Sequence, residues 1–198
     1  MIQKTSMTEP SIRNHEKRIE LKYPIDAGLA AVVRDWARER LGRDPHVPET
    51  DGDSYEVRSV YCDTVELDLA CRTNKVGRKK FRIRQYNDEP SMWLESKRKR
   101  GDVVRKSRTG VDVHALEKRI RDSADAGSGV LDPWCGDWFL DRIHELGMQP
   151  TVSMNYRRFA RTSLLDGQHM RLTVDSDLRA EPTRNFLPDH LALSAFLP

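Results

Sequence analysis

From Arg78 to Tyr86 the chain reads Arg-Lys-Lys-Phe-Arg-Ile-Arg-Gln-Tyr. A β-strand turns successive side chains to opposite faces, so a strand here places Arg78, Lys80, Arg82 and Arg84 together and Phe81 and Ile83 behind them. Like charges side by side on a sheet face repel one another unless something anionic lies against them. This alternation restricts the fold more than any other feature of the chain, because it demands a sheet with one apolar face and one strongly basic face.

Four further segments repeat the pattern. Arg18, Glu20 and Lys22 alternate with Ile19, Leu21 and Tyr23; Glu95 is in phase with Lys97; Lys106 with Arg108. Arg171, Thr173 and Asp175 alternate with Leu172 and Val174. In one reading the basic faces are the solvated side of a sheet packed on helices, which by default would carry mixed charges with Thr, Ser and Gln. In the other they line the inside of a closed or nearly closed barrel, with helices covering its apolar outside. Each unpaired buried charge costs several kcal/mol, so such a barrel must be wet or filled with anions. A phosphate chain fits, because Arg forks and Lys point charges match its oxygens.

At 198 residues the chain is long enough to bury a core, and its periodic apolar segments argue against disorder although a third of it is charged. The net charge of +3 excludes a bulk neutraliser of nucleic acid, so any polyanion site must come from local clustering. No helix-turn-helix signal or RNP-type aromatic pair is present, and nucleic acid is not expected as a partner. Cys62, Cys71 and Cys135 are odd in number and lack Cys-x-x-Cys spacing, which points to a reducing compartment. No apolar run reaches the roughly 18 to 20 residues of a membrane span, so no membrane insertion and a cytoplasmic location are expected. The six histidines show no helical pairing, and the tryptophans read mainly as packing residues.

Along the chain, residues 1–16 read as a flexible arm and Lys17 to Tyr23 as a first strand. Asp26 caps a helix from Ala27 to Leu41 with Leu29, Val32, Val33, Trp36 and Arg40 on one stripe, and Gly42 ends it. Arg43 to Asp53 is a loop. Strands follow at Tyr55 to Asp63, Arg78 to Tyr86, Met92 to Lys99 and Val103 to Val111, with turn chemistry at Asn87 to Pro90 and at Gly101-Asp102. Asp112 caps a helix to about Arg121, Ser123 to Gly129 is a linker, and a helix from Pro133 to Leu146 sets Trp134, Trp138 and Ile143 on one side. Strands at Thr151 to Arg161 and His169 to Asp175 are joined at Asp166-Gly167.

The runs Arg18-Ile-Glu-Leu-Lys-Tyr23, Ser59-Val-Tyr-Cys-Asp-Thr64, Arg78 to Tyr86, Leu94-Glu-Ser-Lys97, Lys106-Ser-Arg108, Asn155-Tyr-Arg-Arg158 and Arg171 to Leu178 occur in an informative order. In that order they resemble the VTC domain of polyphosphate polymerases, within the triphosphate tunnel metalloenzyme, or CYTH-like, superfamily. The resemblance implies an α+β fold: an antiparallel β tunnel barrel with a charged lumen, helices packed outside, and a tunnel domain over residues 17–178. It also implies catalytic roles for Arg82, Arg84, Lys97, Lys106, Arg158 and Arg171 and substrate contacts from Arg18, Lys22, Arg78, Lys80 and Arg108. Glu20, Glu95 and Asp175 would hold a divalent metal, Mn2+ or Mg2+. The family's final Glu-x-Lys strand has no match in the tail, residues 179–198, so the C-terminal strand is expected to be missing or diverged.

Arg18 stands where CYTH-type triphosphatases carry the first of two glutamates, which tilts the implied chemistry toward a polymerase. The expected function is therefore metal-dependent transfer of phosphoryl groups from ATP or another nucleoside triphosphate onto polyphosphate. The alternatives are hydrolysis of tripolyphosphate or nucleoside triphosphate in the same tunnel, and a non-catalytic polyphosphate-binding module. The oligomeric state stays open.

Overall fold

The computed structural model describes residues 19–47, 52–73, 75–76, 79–100, 103–125 and 132–188. The elements run α1 (Ala27–Arg40), β1 (Gly42–Arg43), β2 (Ser54–Asp63), β3 (Lys79–Tyr86), β4 (Ser91–Arg100), β5 (Val103–Asp112), α2 (Val113–Asp125), α3 (Asp137–Glu145), β6 (Gln149–Leu165) and β7 (Gln168–Pro182). All strands join one antiparallel sheet, in the order β7-β6-β2-β3-β4-β5, with the short β1 pairing β6 beyond the start of β2. The sheet curls into a half-barrel with the helices outside.

Alternation decides which face is convex. Phe81 and Ile83 of β3 and Met92 and Leu94 of β4 meet Leu116 of α2 and Phe139 and Ile143 of α3 in the main core. Phe139 is fully buried, and its ring meets Phe81 edge-on with centroids 5.8 Å apart. Burying each such side chain contributes about 1.5–3 kcal/mol. Asp112 accepts the backbone N–H groups of His114 and Ala115 through Oδ1 at 2.9 and 3.1 Å, the expected cap of α2. The two-residue turn between β6 and β7 places Asp166 at φ 49° and Gly167 at φ 76°, the paired left-handed geometry that suits a tight hairpin.

The turn entering α3 leaves no room at Gly136. A Cβ there would lie 2.1 Å from the Trp134 ring and 2.7 Å from Leu94 Cδ1. Gly136→Ala is therefore expected to lower stability by about 1–3 kcal/mol through overpacking, read as a lower urea midpoint with an unchanged slope.

Several local expectations are corrected. Residues 19–26 form no strand: no strand among the described residues pairs with them, and Ile19, Leu21 and Tyr23 stay exposed. On α1 the packed face is Ala30, Val33 and Ala37 against Phe159, Val174 and Leu172. Leu29, Val32 and Trp36 of the expected stripe point to solvent. The helix ends at Arg40 with Leu41 as its cap, and Gly42, expected only to end the helix, opens β1, which runs into Arg43 of the expected loop. α2 runs on to Asp125, into the expected linker, whose residues 126–129 lie outside the described residues. α3 begins only at Asp137, since Pro133 to Gly136 make the turn before it. β6 and β7 extend well past their expected ends. Arg18, Arg78, the Gly101-Asp102 turn, the whole N-terminal arm and the tail beyond residue 188 lie outside the described residues.

Candidate functional site on the concave face

The face opposite the helices collects the basic side chains. Cross-strand register aligns Tyr61 with Arg82 and Ser59 with Arg84, then Arg82 with Glu95 and Glu95 with Arg108, so these residues form rows across four strands. Lys97 faces Lys106 one step along. On the other arm of the curl, Tyr55 faces Arg158, Arg158 faces Asp175 and Thr162 faces Arg171. The alternation of charged and apolar residues within each strand is thus carried across the sheet by its register.

Glu95 is the hub of the first group and is almost completely buried. Its Oε2 accepts from Arg82 Nε at 2.6 Å, and its Oε1 lies 2.7 Å from Lys106 Nζ and 3.2 Å from Arg108 Nε. Burial pushes the carboxyl up, but the charges of Arg82, Lys106 and Arg84 dominate and hold it down at about 2. Burial lowers the Lys106 ammonium despite that same pairing. Arg108 also stacks on Trp93, its Cζ 3.5 Å from the ring centroid.

Glu20 reaches this group although its segment is not a strand: it hydrogen-bonds Lys97 and lies 3.4 Å from Lys22. The Lys97 hydrogen bond leads in lowering its carboxyl to about 2. On the far arm Asp175 makes a two-pronged pair with Arg158, 2.7 Å at each contact. Arg171 donates to Asp44 Oδ2 at 2.6 Å and to the Tyr55 hydroxyl at 2.8 Å. Arg157 is exposed, while Arg158 stands over Tyr156 on the concave face.

Arg84 differs from its neighbours. It is buried at 4% exposure, and its bonds go to neutral oxygens, Ser59 Oγ at 2.9 Å and the Tyr156 hydroxyl at 3.2 Å. No carboxylate among the described residues pairs with it. Lys80, further along the same strand face, is exposed.

The concave face is not charged throughout. Val47, Tyr55, Val57, Tyr156 and Ala160 form a buried apolar cluster on it, with Tyr86 and Met154 against its edge. This cluster separates the Glu95 group from the Arg171 group. Sequence reasoning missed Asp44, Tyr55, Tyr61 and Tyr156, each of which accepts from a basic residue of the face. The spacing of Tyr55 and Tyr61 within β2 places both on the charged side and was the available signal; Asp44 comes from a loop and offered none. Asp63 and Thr64 of the Ser59 to Thr64 run turn instead to the following loop, where Asp63 accepts from the backbone of Thr64, Leu69 and Ala70.

The carboxylates do not make a metal centre as placed. A hard divalent cation needs several oxygens converging on one point, and no group of three or more His, Cys, Asp or Glu side chains that could hold a metal occurs among the described residues. Glu20, Glu95 and Asp175 belong to three separate ion-pair sets, each with its own cations, although the buried Glu95 Oε1 has no hydrogen-bond partner among the described residues. Among the described residues, these three carboxylates as placed do not form the donor set of a resident divalent ion.

The fold and this face define a basic half-barrel of the tunnel type. The VTC domain family matches residues 17–193, and the chain belongs to that family. No curated protein matches the chain. Among solved structures, a Bacillus halodurans protein described as a candidate adenylate cyclase is 12% identical with a TM-score of 0.43, covering 73% of this chain and 67% of that one. A Hippeastrum protein, described as a candidate adenylyl cyclase with dominant triphosphatase activity, is 14% identical with a TM-score of 0.46, covering 77% of this chain and 69% of that one. Likeness at this level carries no functional argument. Among the described residues no helix is long and apolar enough to cross a membrane.

Proposed function

We propose that the concave face binds the triphosphate of a nucleoside triphosphate or inorganic tripolyphosphate and promotes phosphoryl transfer to water. The observation that carries this reading is Arg84, a buried guanidinium whose hydrogen bonds go only to neutral oxygens. A buried charge with no directly hydrogen-bonded counter-ion bears part of its desolvation cost unpaired, and an anion drawn into the face reduces that cost. A phosphate oxygen supplies the charge and accepts the hydrogen bonds that a guanidinium offers.

In this reading Arg82, Arg84, Lys97 and Lys106 hold one stretch of the phosphate chain, and Arg158 and Arg171 the other. Lys22, Lys80 and Arg108 supply flanking charge, and Arg18 and Arg78 are proposed as further contacts. Glu95, tied to Arg82 and Lys106, fixes where those cations point. The pre-aligned cations offset the charge that grows on the leaving phosphate as the bond to the transferred phosphorus breaks, which is the main contribution a protein makes to phosphoryl transfer. Attack by water needs no protein nucleophile. A divalent ion carried on the phosphate oxygens would enter as part of the substrate, and no step is assigned to a resident metal.

Growth of a polyphosphate chain is the second reading, favoured by membership of the VTC family. Purified protein incubated with ATP or tripolyphosphate, with Mn2+ or Mg2+, separates the two. Orthophosphate release without chain growth is expected; long-chain polyphosphate would transfer the conclusion to the second reading. A rise in melting temperature without either product would make the domain a binder, and neither binding nor turnover would end the proposal.

A further inference from the structure

Tyr61 is a phenol on the charged face of β2, directly opposite Arg82 of β3. Its hydroxyl accepts from Arg82 Nη1 at 3.2 Å. The guanidinium carbon lies 5.9 Å from the ring centroid, so the ring and the cation hold each other in place. A phenol hydroxyl can accept and donate at once. The accepting side is used by Arg82, while among the described residues no oxygen receives the Tyr61 proton.

The surroundings sharpen that donor. Burial pushes the Tyr61 phenol up, but the charges of Arg82 and Arg84, the Arg82 hydrogen bond and the Lys80 charge reverse this and leave it below its ordinary value. An O–H group surrounded by cations donates more strongly and draws an anionic acceptor. Tyr156, from β6, accepts from Arg84, so each of the two arginines donates to a different phenol hydroxyl.

We propose that Tyr61 donates its hydroxyl proton in a hydrogen bond to a non-bridging oxygen of the phosphate group held by Arg82 and Arg84. This rests on the phosphate-binding reading of the face and adds to it a neutral donor, which favours a fully deprotonated phosphate oxygen without adding charge. Selection is then for a group whose oxygens only accept, an internal or terminal phosphoryl of a polyphosphate.

The test is titration calorimetry with inorganic tripolyphosphate at several salt concentrations, on the full chain and on Tyr61→Phe. The substitution keeps the ring against Arg82 and removes only the hydroxyl. Expected are a Kd weaker by about tenfold, the loss of one good hydrogen bond to a charged group, an unchanged melting temperature without ligand, and the same dependence of log Kd on log salt as the wild type. The unchanged slope separates loss of a neutral donor from displacement of Arg82, which would remove a charge contact and flatten it. Wild-type affinity in Tyr61→Phe, or a flattened slope, overturns the role of Tyr61 while leaving the face as a phosphate site. Failure of the wild type itself to bind tripolyphosphate overturns both.

Discussion

Replacing Arg84 with methionine is expected to cut tripolyphosphate affinity by about 10- to 100-fold, the effect of losing a charge-assisted contact of about 1.5–3 kcal/mol. The same substitution is expected to leave the ligand-free protein within about 1 kcal/mol of the wild type or more stable than it. The two effects have one origin. Arg84 is buried at 4% exposure and its hydrogen bonds go only to Ser59 and Tyr156, so the ligand-free protein bears a desolvation cost that the Glu95 carboxylate offsets only through space, without a hydrogen bond. Methionine of similar length fills the space without the charge, and the two hydrogen bonds it forfeits are worth about 1 kcal/mol each. Calorimetry for affinity and urea unfolding for stability read the two separately. A variant that unfolds several kcal/mol earlier yet binds as the wild type would assign Arg84 to the scaffold and remove the main support for the phosphate reading.

Why Arg84 rather than Arg82 should behave this way is not written in the sequence. Period-two alternation is a local property, so the segments that place Arg82, Arg84, Glu95, Lys97, Lys106 and Arg108 on one face are legible from residue order alone. The antiparallel meander follows from the turn residues between them. Which cation meets which acid depends on register across strands and on loops. Arg82 lies opposite Glu95 because β3 and β4 pair in one particular register, and Asp44 reaches Arg171 from a loop 127 residues earlier in the chain. The tyrosines carry no mark of their role, since a phenol that buries its ring and offers its hydroxyl to an arginine looks the same in sequence as one that only packs. The first strand failed for a related reason: alternation signals a strand only where a neighbour supplies the ladder, and Ile19, Leu21 and Tyr23 have none among the described residues. On α1 the small residues Ala30 and Ala37 pack because they allow the helix to approach Phe159 closely, a preference that a stripe of large side chains conceals.

The largest stability effect is expected at Glu95. Glu95→Gln keeps the shape but removes the only carboxylate within hydrogen-bond reach of Arg82 and Lys106 among the described residues. Deleting one partner of a buried ion pair costs about 3–5 kcal/mol, because the charges left behind stay desolvated. The pH dependence gives an independent check. The Glu95 carboxyl is depressed from 4.5 to about 2 in the folded chain, so its contribution is fully present above the unfolded value and is lost as the pH falls toward 2. A shift of that size corresponds to about 3 kcal/mol. Glu20 shifts by a similar amount, but it is partly exposed and solvent screening reduces its share. Urea unfolding of the wild type should thus lose stability between about pH 4.5 and 2, and Glu95→Gln should start lower at neutral pH and lack most of that acid limb. Tripolyphosphate should raise the melting temperature of Glu95→Gln by more than that of the wild type, since an added anion takes the place of the missing carboxylate among Arg82, Lys106 and Arg108. An unaltered acid limb in the variant would mean that the carboxylate does not bind this cluster together, and a smaller ligand response would mean that phosphate does not enter where the carboxylate stood.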